Sequence, residues 1–272
     1  MGIGWHGRLA LAAHMAWNET GGSRHDMLAG SEGVHDDLTA RAIVLRPEGQ
    51  PPVALVRIDA IGMTLEVFDQ VIASVEELGY TSASVVITAT HTHSGMGGFI
   101  RSPFGCVVAM DNFRPELESR LVDACAVAIR EAHESARPAE IGFGRARDRD
   151  AEGEPVIAIN RRSRQFEGEI SSDEIDDEIG LMLLRDAKTE ERIALLVNYS
   201  VHPTVLGPDN LHYSADLTGG VERALSARLD GTPVLFVNGA QGDIGPGRIE
   251  AKGGLKRVRE LGEAFSDLVE EA

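Results

Sequence analysis

Two imidazoles separated by one residue, His91 and His93, lie in the stretch TATHTHSGMGG, which follows the apolar run Ser84–Ile87 without a break. Side chains at i and i+2 of an extended strand point to the same side. If the strand over Ala83–Ala89 stays extended through this motif, both rings face one point, an arrangement that suits a metal ion. Ser94, Gly95, Gly97 and Gly98 come next, and such residues let the backbone approach a ligand closely. The plainer alternative is two ordinary histidines hydrogen-bonded to backbone at a strand end.

The pattern recurs in IALLVNYSVHPT, where an apolar strand again ends in a histidine, His202, held by Pro203. Beyond it, His212 and Asp216 in LGPDNLHYSADLTGG are secondary candidates for the same chemistry. The glycines of GAQGDIGPG invite comparison with a phosphate-binding loop, but the Lys and Ser/Thr of such a loop are missing and Asp243 would repel a phosphate. Asp243 could instead position a water, or cap its own turn through the carboxylate, the commoner fate of an Asp between such residues.

The elements that must carry these residues can be read from periodicity. Strands are predicted at Thr39–Arg46 and Val53–Asp59, with a turn at Pro47–Pro52. Leu65, Phe68, Val71, Ile72, Val75 and Leu78 recur at helical spacing, so Thr64–Leu78 is expected as an amphipathic helix capped by Thr64 and stopped by Gly79. The strand Ser84–Ala89 then completes a strand, helix, strand order that implies parallel pairing through a right-handed crossover. Ser94–Arg114 is expected as a long substrate-side loop. A helix is predicted from Pro115 to Ala132. Further strands are expected at Ala139–Arg145, Val156–Asn160, Glu178–Arg185, Arg192–Tyr199 and Pro233–Asn238, with helices from Ser214 or Asp216 to Leu229 and over Gly253–Glu271. Adjacent strands without an intervening helix imply that part of the sheet is antiparallel. The expected fold class is α/β, a mixed, partly parallel β-sheet core flanked by helices, with a metal site at strand C-terminal ends. Residues 1–32 read as an irregular amino-terminal segment and residues 33–272 as a single domain.

Composition narrows the partners. With 26 basic and 43 acidic residues the formal charge is −17, which would repel a nucleic-acid backbone. Much of the acid lies in Glu167–Glu178 and Glu260–Glu271, which read as solvated faces. No apolar run approaches the ~18 residues of a transmembrane helix. Cys106 and Cys125 are too few for a disulfide framework. With no export signal visible the chain is expected to be cytoplasmic, or secreted if a signal-bearing amino terminus precedes it. Oligomeric state is left open.

Four segments, GVHDDLTARA, ATHTHSGMGG, NYSVHPT and NGAQGDIGP, occur in this order between Gly33 and Pro246. Together they resemble the amino-terminal catalytic domain of the neutral ceramidase family. The resemblance implies a zinc ion held by His91 and His202, with His93 assisting near the scissile amide and His35 close to the pocket. The NRRS segment resembles an Asn-Arg motif of the family and makes Arg161 a candidate for binding substrate or a developing oxyanion, with an exposed salt bridge as the alternative. Two positions depart from the family. Its active-site serine falls on Gly245, and its remaining zinc ligands, a glutamate and a tyrosine, would lie further along the chain than residue 272. A fragment or shortened homologue is therefore expected, unless Asp59, Asp216 or Asp243 completes the coordination or the metal is held weakly or not at all. The implied activity is zinc-dependent hydrolysis of an amide in an N-acyl amine or lipid-like substrate by a metal-activated water, which needs no serine nucleophile. The alternative is a non-catalytic homologue with an incomplete metal site.

Overall fold

The computed structural model describes residues 31–101, 112–160, 175–207, 210–247 and 254–270. The amino-terminal segment up to residue 30, Cys106, Arg161 and the acidic run up to residue 174 lie outside the described residues. The chain divides into two compact units, one running to Ser135 and including Leu206–Ala215, the other formed by Ala136–Val205 and the chain from Asp216 onward.

In the first unit β1 (Ala40–Leu45) pairs antiparallel with β2 (Val53–Ile58), aligning Ala42 with Val56. Next come helix α1 (Leu65–Val75) and a single 3-10 turn, Glu76–Leu78. Strand β3 (Val85–Ala89) then runs parallel to β2, with Val56 opposite Ile87. The predicted strand, helix, strand unit is thus formed, because the 3.6-residue stripe of α1 can be covered only by the sheet and its neighbouring helix. Val67, Val71 and Val75 are fully buried, each a transfer gain of about 1.5–3 kcal/mol. The Thr64 hydroxyl accepts from the Val67 N–H at the start of the helix, and Gly79, at φ 87°, ends it through an N–H bonded to the Glu76 carbonyl. Helix α2 (Pro115–Glu134) starts with proline in its first turn and buries Leu121, Val122, Cys125, Ala126 and Ile129. A two-residue parallel ladder joins Gly33 and Val34 to His212 and Tyr213.

The second unit contains β4 (Ala139–Arg147), β5 (Ala158–Asn160), β6 (Glu178–Asp186), β7 (Arg192–Tyr199), α3 (Asp216–Arg228), β8 (Val234–Asn238), β9 (Ile244–Pro246) and α4 (Gly254–Glu270). Its main sheet has the order β8-β7-β6-β4, with β7 and β8 parallel and the other neighbours antiparallel. The strand predicted at Val156–Asn160 is shortened to Ala158–Asn160 and stays out of that sheet, pairing antiparallel with β9. Val197, Phe236, Leu217, Val221 and Phe265 are fully buried between sheet and helices. Helices α3 and α4 meet at glycines: a Cβ on Gly262 would lie 2.6 Å from the Gly220 carbonyl oxygen. The mixed α/β architecture matches the expected class. Among the described residues no helix is long and apolar enough to cross a membrane.

Candidate functional site

His91 and His93 do come together, but not by the geometry that strand alternation predicts. The strand ends at Ala89, and His91 adopts a left-handed backbone with φ 65°. A non-glycine residue there costs about 1–3 kcal/mol and persists only where its surroundings hold it. The hold is visible. The Thr90 N–H bonds the Ile58 carbonyl, the His91 N–H bonds the Ala60 carbonyl at 3.0 Å, and His91 Nδ1 lies 2.6 Å from the Ile61 carbonyl oxygen. A carbonyl oxygen only accepts, so the proton sits on Nδ1 and Nε2 is the atom that would meet a metal. The rings of His91 and His93 are 5.0 Å apart, edge to face at 77°.

Asp59 is held in its own hydrogen-bond network. Its carboxylate is enclosed by donors: Oδ2 accepts from the Thr39 N–H at 2.9 Å, the Thr39 hydroxyl at 3.0 Å and Arg57 Nη1 at 2.6 Å, while Oδ1 accepts from the Thr90 hydroxyl at 3.2 Å. Arg57 is fully buried. A buried charge pair is tolerated when hydrogen bonds satisfy its remaining lone pairs, as these do for the carboxylate.

The segment after the motif is tied into the same unit. Thr92 donates its hydroxyl to the Ser214 carbonyl at 2.7 Å, and Asn210 Nδ2 donates to Ser94 Oγ at 2.8 Å. Ser214 Oγ donates to Asp36 Oδ2, whose other oxygen accepts the Ala215 N–H. His35 stacks on His212 with ring centroids 4.4 Å apart and 23° between planes. A Cβ on Gly33 would meet His212 Cδ2 at 2.8 Å, so a larger residue there would displace the His212 ring. Sequence reasoning marked His35 and His212 separately; that they form a pair has no local signal.

In the second unit His202 follows the parallel pair β7 and β8. Its N–H bonds the Ile244 carbonyl, and its Nδ1 lies 3.2 Å from the Gln241 carbonyl, which again places the proton on Nδ1. Asn238 fastens the turn from its side chain, accepting the Val201 N–H at 3.1 Å and donating to the Val201 carbonyl at 2.9 Å. In both units, then, a histidine just past a parallel strand is oriented by a carbonyl three residues beyond the end of the partner strand, Ile61 after Ile58 and Gln241 after Asn238. Asp216, at φ 54°, turns Oδ1 onto the N–H groups of Val205 and Leu217, so it is occupied in fastening the start of α3. Asp243 lies half-buried in the turn before β9, and Gly245 pairs with Ile159 inside the β9–β5 ladder. Gln241 Oε1 is buried with no hydrogen-bond partner among the described residues.

Below that ladder Asp148 is fully buried and accepts from the N–H groups of Val156, Ile157 and Ala158 and from the Tyr199 hydroxyl. Burial raises its carboxyl above the usual range, against the lowering effect of those donors. Nothing in the local sequence singles out this aspartate among its neighbours in RARDRDAEGE.

An α/β chain built this way has solved counterparts. The crystal structure of neutral ceramidase from Pseudomonas aeruginosa superposes with a TM-score of 0.74 over 88% of this chain and 39% of that chain, at 22% identity, which establishes the shared fold. A structure of ceramidase complexed with C2 matches with the same values. The family model for the neutral/alkaline non-lysosomal ceramidase N-terminal region matches residues 25–240, and the chain belongs to this family. Neutral ceramidase 3 of Arabidopsis thaliana is 33% identical over 146 residues, 52% of this chain and 19% of the plant protein. The neutral ceramidase of Mycobacterium tuberculosis is 30% identical over 122 residues, 41% of this chain and 18% of its own length. The matched stretches thus span about a fifth of these curated relatives.

Proposed function

We propose that this chain carries the metal-binding part of a ceramidase-type amide hydrolase, with His91 and His202 as ligands of a zinc ion. The observation that supports the reading is the carbonyl lock on the ring nitrogen: His91 and His202 each direct Nδ1–H to a backbone oxygen, which would make Nε2 the ligating atom of both. A neutral, all-nitrogen donor set suits zinc. When bound, zinc would supply Lewis-acid polarisation of the amide carbonyl and acidify a water. His93, whose ring lies 5.0 Å from that of His91, would hold a proton at the reacting amide. Asp243 would orient the attacking water. Gly245 offers no hydroxyl, so in this reading the bond is broken without a serine.

Family membership supports an N-acyl amine or lipid-like amide as the substrate. Arg161 is proposed to bind its polar end. Zinc content and hydrolysis of a short-chain N-acyl sphingosine, measured on the wild type and on His91→Ala and His202→Ala, test the reading. About one zinc per chain, lost in both variants together with the activity, is expected; a chain that takes up no zinc overturns it. A second reading, a non-catalytic member of the family with an incomplete metal site, is favoured by Gly245, and predicts no hydrolysis and zinc that is readily lost to a chelator.

A further inference from the structure

We propose that Asp59 is a positioning residue for His91, acting through Thr90. This inference rests on the reading of His91 as a metal ligand. The left-handed backbone of His91 is unfavourable by itself, and Thr90 immediately before it is the residue whose position decides whether that conformation is kept. Thr90 is fully buried and held from two directions, by its N–H on the Ile58 carbonyl at 2.9 Å and by its hydroxyl on Asp59 Oδ1.

Asp59 in turn cannot move. Its own N–H bonds the Thr39 carbonyl at 3.0 Å, and Thr39 and Arg57 saturate Oδ2. The next two residues, Ala60 and Ile61, supply the carbonyls that receive the His91 N–H and Nδ1–H. One residue therefore bears on both partners of the lock: its carboxylate, through Thr90, sets the approach of the imidazole, and its anchored backbone sets the following carbonyls that accept. The buried Arg57–Asp59 pair is a device for orientation, since a buried ion pair adds little net stability over an apolar pair of similar volume. Hydrogen-bond partners behind a ligating histidine typically change metal affinity by about 10–100-fold.

The test reads the ring directly. Long-range 15N–1H correlation spectra of the metal-free chain report the tautomer of His91, and chelator competition reports zinc affinity. The wild type should show His91 as the single Nδ1–H tautomer; the Nε2–H form there overturns the proposal without any variant. Thr90→Val keeps the side-chain shape but removes the hydroxyl. It should give a mixed tautomer and about 10-fold weaker zinc binding with an unchanged far-UV spectrum, while Thr90→Ser should retain the wild-type values. Asp59→Asn serves as the second perturbation and should move the same resonances. A folded Thr90→Val chain whose His91 resonances stay in place overturns the proposal, whether or not zinc binds. A tautomer that shifts in a chain that binds no zinc sinks the metal reading alone.

Discussion

Tyr199 donates its hydroxyl to Asp148 Oδ2 across 2.5 Å, both groups fully buried, so a strand of the main sheet and the turn leading to β5 are joined by one short bond. Burial and the adjacent carboxylate hold the phenol well above its ordinary ionisation range, which keeps it a donor near neutral pH. Tyr199→Phe preserves the ring and removes the donor. It should lower stability by about 1.5–3 kcal/mol, the usual range for a hydrogen bond to a charged group. Urea denaturation of the two proteins measures this; a loss below 0.5 kcal/mol, of order the scatter of surface substitutions, would show that the bond is dispensable.

The crossing of α3 and α4 leaves no space for a side chain. At Gly262 an added methyl meets backbone, the Gly220 carbonyl oxygen at 2.6 Å, and backbone cannot rotate away. Gly262→Ala is expected to cost about 1–3 kcal/mol through forced separation of the helices. Gly142→Ala, in β4 where nothing lies within 4 Å of the new atom, is the control and should change stability by less than about 0.5 kcal/mol.

Asp186 closes the turn after β6 by accepting the N–H groups of Lys188 and Thr189 and pairing with Arg137. The two backbone donors hold its carboxyl below the ordinary 3.8, with Arg137 adding to the effect. A carboxyl depressed on folding contributes stability that is fully present above the unfolded value and is lost as pH falls through the folded one. The Tm difference between wild type and Asp186→Ala should therefore be constant from neutral pH down to about 5 and shrink below 3.8. A difference that grows on acidification would contradict the assignment.

Burial pushes the Cys125 thiol up to about 12, leaving almost no thiolate near neutral pH. In a Cys106→Ser background, iodoacetamide at pH 8 should leave the Cys125 peptide unmodified in the native chain and alkylate it fully in urea. Fast native labelling, read by mass spectrometry, would mean that α2 opens readily.

Some of this architecture is legible residue by residue. Thr64 and Gly79 bracket α1 because capping and left-handed termination are local, and the valine spacing between them needs no tertiary information. The histidines stood out because each follows an apolar run. What was hidden is nonlocal. Strand alternation predicted that His91 and His93 face one way, yet the strand stops at Ala89 because Thr90 and His91 bond to the exit of β2 instead of continuing the ladder. Asp59 and Asp216 were candidates to complete a metal shell; that Thr39 and Val205 engage their carboxylates has no local signal. The strand Ile244–Pro246 was concealed by its glycine and proline, and two-residue ladders such as Gly33–Val34 carry no period.

Asn238 gives its carboxamide the work of a peptide group. Taking the Val201 N–H and returning an N–H to the Val201 carbonyl, it extends the β7–β8 pairing by a rung that main chain alone would not make. Few side chains can imitate an amide in this way. Aspartate has the shape but would set an oxygen against an oxygen at Val201, and glutamine is one carbon too long. The residue beside His202 is thus constrained by the arithmetic of donors and acceptors more tightly than by volume, and variation at position 238 should be read as a change in where the histidine points.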